Sequence, residues 1–255
     1  MNTLSLIAAT AIVSLASTAS AQSFGGITHE GSTISLAYSF HNDDEGDPYS
    51  ENYTKHLTAT SRYALGSNLG VAVTFGYVSE TWEDEYYSRR HVLDLNPYYS
   101  FGNGSVGAYY TVISHHNTDD GSLNDTQFGI TADYAANGFG VEFYAGAYME
   151  DGYFNEDTVG IAGSYEINDA TQVFISHRRD IDTDGDWTGM LSLGGTYDLQ
   201  MAPVSITGEL TKYGHNDVSF GDSEWNQITI AASYNFGAGA QSIFRGLRAE
   251  DFFYN

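Results

Sequence analysis

From Ser32 to Phe236, apolar side chains recur at every second position. Ile34, Leu36, Tyr38 and Phe40 alternate with Ser and Ala; Leu69, Val71, Val73, Phe75 and Tyr77 alternate with Gly, Ala and Thr. Phe128, Ile130, Ala132 and Tyr134 repeat the pattern, as do Phe139, Val141, Phe143 and Ala145, and then Ile228, Ile230, Ala232, Tyr234 and Phe236. A period of two is the mark of a strand with one apolar face, and no helical period of comparable strength runs through this stretch. The pattern predicts twelve strands, over 32–41, 52–64, 69–79, 88–101, 105–114, 126–135, 139–149, 157–166, 171–179, 187–198, 203–213 and 226–236. Most have about the 9–11 residues that a tilted membrane-crossing strand needs.

The connections alternate in length. Gly66-Ser67-Asn68, Gly102-Asn103-Gly104, Ala136-Asn137-Gly138, Asn168-Asp169 and the Gln200 to Pro203 turn are short, and their Gly and Asn residues supply the positive φ of tight hairpins. Segments 42–51, 80–87, 115–125, 150–156, 180–186 and 214–225 read as long and mostly acidic loops. Short turns on one side, long loops on the other and an even strand number describe one architecture. The expected fold is all-β: a transmembrane antiparallel up-and-down β-barrel of about 12 strands, with short periplasmic turns and long acidic extracellular loops. Tyr63, Tyr99, Tyr134, Tyr165, Tyr197 and Tyr234 each precede a short turn or the chain's last strand end, the placement of a periplasmic aromatic girdle. Trp82, Trp187 and Trp225 fall at the opposite end.

Parity then divides each strand into two faces. One is Ile, Leu, Val, Phe, Ala and Tyr, as lipid contact requires. The other is Ser, Thr, Gly, Gln and Tyr, poor in Lys, which suits a wetted lumen better than the outside of a soluble barrel. Parity puts Lys55, Arg89, Arg179 and Lys212 on the lipid face at the long-loop ends of their strands. Pairing with lipopolysaccharide phosphates and ordinary snorkelling of long side chains both account for them. Parity assigns Arg62, Arg90, Asp94, Asp133, Glu142, Glu166, Arg178 and Glu209 to the lumen as pore-lining residues. Fixed negative charge raises the local concentration of cations, so the expected pore prefers cations. The competing expectation is that these charges pair across the barrel and fill it.

Charge and composition narrow the classes. The net charge is -24 with only 9 Lys and Arg, which excludes nucleic acid as a partner, since backbone binding needs clustered bases. Aromatic residues make up 15 %, against the aromatic-poor composition of acidic disordered chains. Cysteine is absent, so neither disulfides nor Cys-based metal sites are expected, and no cofactor is called for. Residues 4–16 are apolar and Ala19-Ser20-Ala21 follows, the layout of a secretory signal peptide over 1–21, although MNTLS contains no Lys or Arg. Beyond Ala21 no run approaches the roughly 20 apolar residues of a transmembrane helix.

Asp180, Asp182, Asp184 and Gly185 match the first half of a calcium loop, but Leu191 stands where the bidentate Glu belongs; weak divalent binding there, or at Asp43, Asp44, Glu45 and Asp47, is set against a simply solvated acidic loop. A barrel hydrolase of the phospholipase or omptin kind would need a Ser–His pair on one face, or opposed acid and His pairs at the rim. Ser176-His177 and Ser114-His115 are adjacent, hence on opposite faces, and His41, His115, His116 and His215 show no distinctive pairing. A non-conducting structural or adhesive surface barrel is the third class.

The final strand, Thr229-Ile230-Ala231-Ala232-Ser233-Tyr234-Asn235-Phe236, resembles the terminal signal read by the barrel-assembly machinery, with Ala231 where Gly is usual. With the strands and girdle, residues 22–236 resemble the Gram-negative outer-membrane porin-like superfamily. The resemblance implies an outer-membrane location, folding by that machinery, and passive diffusion of small hydrophilic solutes; monomer and homo-oligomer both stay open. General porins differ in having about sixteen strands and a constricting loop folded inside. Residues 237–255 read as a C-terminal tail in which Ile243, Phe244, Leu247 and Arg248 suit a short amphipathic helix in the periplasm or at the lower end of the pore, with a disordered tail the equal alternative.

Overall fold

The computed structural model describes residues 23–24, 27–43, 53–82, 86–117, 124–150, 153–183, 185–217 and 221–237. The signal peptide expected over 1–21, the tail expected over 237–255 beyond Gly237, Asp184, and the Asp44, Glu45 and Asp47 cluster lie outside them. Thirteen strands form one antiparallel sheet: β1 (Ser23–Phe24), β2 (Ile27–Asp43), β3 (Tyr53–Ala64), β4 (Leu69–Trp82), β5 (Tyr86–Phe101), β6 (Gly104–Asn117), β7 (Asn124–Ala136), β8 (Phe139–Glu150), β9 (Tyr153–Asn168), β10 (Thr171–Asp182), β11 (Trp187–Leu199), β12 (Val204–Asp217) and β13 (Gly221–Gly237). Each strand from β2 pairs with the next, and β13 returns to β2. The result is a closed twelve-strand up-and-down barrel, with β1 a two-residue addition at the start of β2. Closure leaves no edge unpaired, the condition a spanning sheet must meet in lipid.

The two-residue hairpin between β7 and β8 shows how the sequence sets the register. Asn137 (φ 55°) and Gly138 (φ 79°) both take left-handed conformations, the combination of a type I′ turn whose twist matches the strands. Between β9 and β10, Asn168 Oδ1 accepts a 2.9 Å hydrogen bond from the Ala170 amide, and a register shift follows at Thr171/Gln172.

At the opposite end the strands run further than the alternation predicts. Pairing continues to Trp82↔Tyr86, Glu150↔Tyr153, Ile181↔Trp187 and Asp217↔Gly221. Much of what reads as long loop is therefore paired strand, and Asp180, expected in a loop, belongs to β10. The physical reason is that period-two hydrophobicity appears only where one face is greasy and the other wet. Where both faces meet water, the backbone ladder continues without that signature.

Exposure sorts the faces. Leu36, Leu93, Phe128, Ile130, Phe139, Ile161, Ile175, Leu193, Leu210 and Ile230 are exposed large apolar residues on the outside. Ser39, Thr54, Thr74, Thr111, Gln127, Ser192, Thr211 and Gln227 are buried on the inside. This is a soluble protein's pattern turned inside out, the arrangement of a membrane barrel.

Candidate functional site: the barrel interior

Hydroxyl pairs link neighbouring strands along the inner wall. At the β2–β13 seam they are Thr33 with Asn235 (2.9 Å), Ser35 with Ser233 (2.7 Å) and Ser39 with Thr229 (2.8 Å). Elsewhere Ser192 meets Thr211, Thr196 meets Thr207 and Thr60 meets Thr74. Short hydroxyl side chains alternate along these strands because this wall carries no apolar demand.

Aromatic rings inside the barrel lie along the wall over glycines of the adjacent strand. Tyr144 is paired with Gly160, Phe174 with Gly194 and Tyr98 with Gly70. In each case a Cβ on the glycine would overlap the ring. Tyr109 reaches further: its ring runs over Gly129 of β7 and its hydroxyl over Gly146 of β8. Glycine thus lets a large ring lie down instead of standing into the bore, a cross-strand pairing of aromatic and glycine that stabilises sheets.

Each of the three inner arginines faces an acid. Arg62 lies 3.8 Å from Glu30 and over the Tyr98 ring, and the Tyr98 hydroxyl donates to Glu30 at 2.6 Å. Arg90 lies 3.5 Å from Glu80, both buried. Arg178 donates to Asp180 at 2.9 Å. Of the remaining acids, Asp94 accepts from Thr111 at 2.7 Å and Glu209 from Thr211 at 3.2 Å. Asp133 accepts from Ser105 and stands directly opposite Glu142. Glu166 opposes Gln172 near the short-turn end. The alternation of β3, β5, β7, β8, β9, β10 and β12 thus gathers the eight charges expected in the lumen on one wall.

Sequence parity alone missed a second group at the long-connection end. His115 Nε2 lies against Asp125 Oδ2, which also accepts from the Tyr148 hydroxyl at 2.7 Å. All three are buried, and Tyr148 also belongs to a cluster with Val78, Val92 and Ile113. Glu80, Asp125 and Asp180 sit in segments that read as loop, where parity gives no strand face. Trp225 stacks on Tyr213 at 5.1 Å and 4°, inside rather than in the outer interface.

On the outside, Tyr99, Tyr134, Tyr165, Tyr197 and Tyr234 are exposed at the short-turn end, with Tyr63 beside His29. Lys55, Arg89, Arg179 and Lys212 are exposed at the other end. Lys55 lies over the Tyr53 ring and Arg179 over the Trp187 ring, each at 4.8 Å, while Lys212 is 2.7 Å from Glu224. Ser176 is buried inside and His177 exposed outside, so that pair does not share a site. Among the described residues, no group of three His, Cys, Asp or Glu is placed to hold a metal ion.

No protein-family model matches this chain, and no curated protein matches it. Solved structures do. A KdgM porin in complex with disordered oligogalacturonate aligns over 79 % of this chain and 98 % of its own, with TM-score 0.55 and 10 % identity. An outer-membrane channel from Pseudomonas putida F1 aligns over 81 % and 96 %, with TM-score 0.55 and 13 % identity. At these identities the likeness is one of fold: a closed antiparallel up-and-down β-barrel like those of these two outer-membrane channels.

Proposed function

We propose that the chain is an outer-membrane channel for passive diffusion of small hydrophilic solutes, with a preference for cations. The observation that carries this is the inverted polarity of the wall together with the height of its apolar band. On β5, Arg89 and Tyr99 bound the outer band ten residues apart; at about 3.4 Å per residue and a tilt of about 40° this spans about 26 Å. On β3, Lys55 and Tyr63 stand eight positions apart and span about 21 Å by the same geometry. Both values suit an outer-membrane apolar band of about 25 Å. The short turns then face the periplasm and the long connections the outside.

Charge preference follows from the inner wall. Arg62, Arg90 and Arg178 are each balanced by a neighbouring acid, so Asp94, Asp133, Glu142, Glu166 and Glu209 make the lumen net negative. A polyanionic sugar such as the oligogalacturonate in one neighbour's complex would meet repulsion here, whereas small cations and neutral polar solutes would be admitted. Refolded protein in planar bilayers under a KCl gradient tests the proposal. A stepwise conductance with a reversal potential toward the cation equilibrium is expected; anion preference overturns the selectivity, and absence of conductance overturns the channel.

A further inference from the structure

Two glutamines are almost fully buried on the inner wall, and the fold treats them differently. Gln227 of β13 is bonded at both ends of its amide: Oε1 accepts from the Tyr213 hydroxyl at 2.9 Å, and Nε2 donates to Thr229 Oγ1 at 2.8 Å. Gln127 of β7 is 2 % exposed, yet its Oε1 accepts no hydrogen bond among the described residues. Leaving a buried acceptor unpaired is costly, and such a group calls for a water or an ion.

The surroundings fix where that amide points. Thr111 stands opposite it on β6 and Tyr148 on β8. On β7 itself the same face carries Asp125, already in contact with His115 and Tyr148. In the other direction it carries Gly129, which lies under the Tyr109 ring. The wall is occupied on every side, so the Gln127 amide stands off it toward the bore. Thr111 adds a second oxygen. It is fully buried, and its hydroxyl donates to Asp94 Oδ1 at 2.7 Å. A hydroxyl has one proton and two lone pairs; with the proton turned toward β5, lone pairs remain on the β7 side, where Gln127 stands. Asp94, Thr111 and Gln127 form one cross-strand row, with neighbouring Cβ atoms about 5 Å apart.

We propose that this row binds one partly dehydrated monovalent cation, coordinated by Gln127 Oε1 and Thr111 Oγ1 and balanced by the Asp94 carboxylate. Neutral oxygens that replace hydration water are the means by which filters hold such ions. The row has a single carboxylate, which matches a single charge. The site deepens the cation preference proposed above and rests on that reading: the acidic lumen concentrates cations, and this row gives them a place to stop.

The test uses the full chain refolded in detergent, with heat-modifiable gel mobility as the check of folding. Thallium(I), a probe for potassium, is titrated at constant ionic strength set by N-methylglucamine and followed by thallium NMR. Saturable binding of one ion per chain is expected, displaced by potassium but not by N-methylglucamine. A hydrogen-bonding group lost from a charged partner weakens binding roughly tenfold or more. Gln127→Leu and Thr111→Val are each expected to do so although neither changes the charge of the lumen. Thr196→Val, on the inner wall beside Thr207, should leave binding unchanged. Stability supplies a second readout: Gln127→Leu should be as stable as the parent in N-methylglucamine chloride and lose only the increment that potassium chloride adds. Binding that does not saturate, binding by Gln127→Leu equal to the parent's, or an equal loss of its stability in both salts overturns the site. The NMR measurement needs no current, so the two readings separate. A barrel that binds thallium in this way without conducting refutes the channel alone; a conducting barrel whose Gln127→Leu variant binds like the parent refutes the site alone.

Discussion

Replacing Gly160 by alanine tests whether the inner aromatic rings depend on the glycines beneath them. A methyl carbon there would sit 2.6 Å from Tyr144 Cζ and closer still to Cε1, and Tyr144 is only 1 % exposed. Two terms oppose each other. Alanine is favoured over glycine in a strand by about 0.5–1 kcal/mol because less backbone entropy is lost. Overpacking against a fixed ring costs about 1–3 kcal/mol, so the clash wins and Gly160→Ala is expected to lower stability by about 0.5–2 kcal/mol. Gly208, on the outer face of β12, supplies the control: nothing lies within 4 Å of its added Cβ. Gly208→Ala is expected to raise stability by about 0.5–1 kcal/mol. Equilibrium urea unfolding in lipid vesicles, followed by tryptophan fluorescence, measures both. In a Tyr144→Ala background the Gly160→Ala effect should change sign, with a coupling of about 1–3 kcal/mol. Single-channel conductance should also fall in Gly160→Ala as the ring is driven into the bore. If Gly160→Ala and Gly208→Ala shift stability equally, the rings do not rest on their glycines and the reasoning fails.

Replacing Asp133 by Asn together with Glu142 by Gln should move the reversal potential toward that of an unselective pore, because it removes two adjacent like charges; it should also stabilise the barrel slightly, by about 0.2–1 kcal/mol, since directly opposed like charges destabilise a sheet. Glu80→Ala leaves the buried Arg90 without its acid and should cost about 3 kcal/mol or more in urea unfolding, whereas replacing both residues by apolar ones of similar volume should cost much less. Asn137→Ala places a Cβ-bearing residue without a compensating side-chain amide at φ 55° and should cost about 1 kcal/mol by the same assay. Ser39→Ala removes contacts to Thr229 at 2.8 Å and His56 at 3.3 Å and should cost about 1–2 kcal/mol in total.

The strand number and the division into faces were legible because two solvents impose the period. Leu36, Leu93 and Ile230 had to alternate with Ser, Asp and Ala once one side met hydrocarbon and the other water. The Asn137-Gly138 hairpin was legible because only a few residues tolerate two successive positive φ values. The strand ends were not, since Glu80–Trp82 and His215–Asp217 extend past the region where the faces differ. The partners of the inner charges were hidden for the same reason: Glu80 and Asp180 lie in those extensions, and parity gives a face but not a neighbour. The glycines under Tyr144, Phe174, Tyr98 and Tyr109 were visible as letters, but register was needed to show that each stands opposite a ring.

The seam between β2 and β13 has a consequence for how the barrel is made. Every other barrel strand pair joins neighbours in the chain, so its loop-closure cost is small; this one joins residues about two hundred positions apart and forms only when the last strand has arrived. Its inner side is Thr33, Ser35 and Ser39 against Asn235, Ser233 and Thr229. Those groups remain solvated by luminal water until the two edges meet, and then exchange water for one another at nearly equal strength. Sealing the cylinder therefore requires little stripping of solvent, and the same six residues mark the line along which it would first unzip.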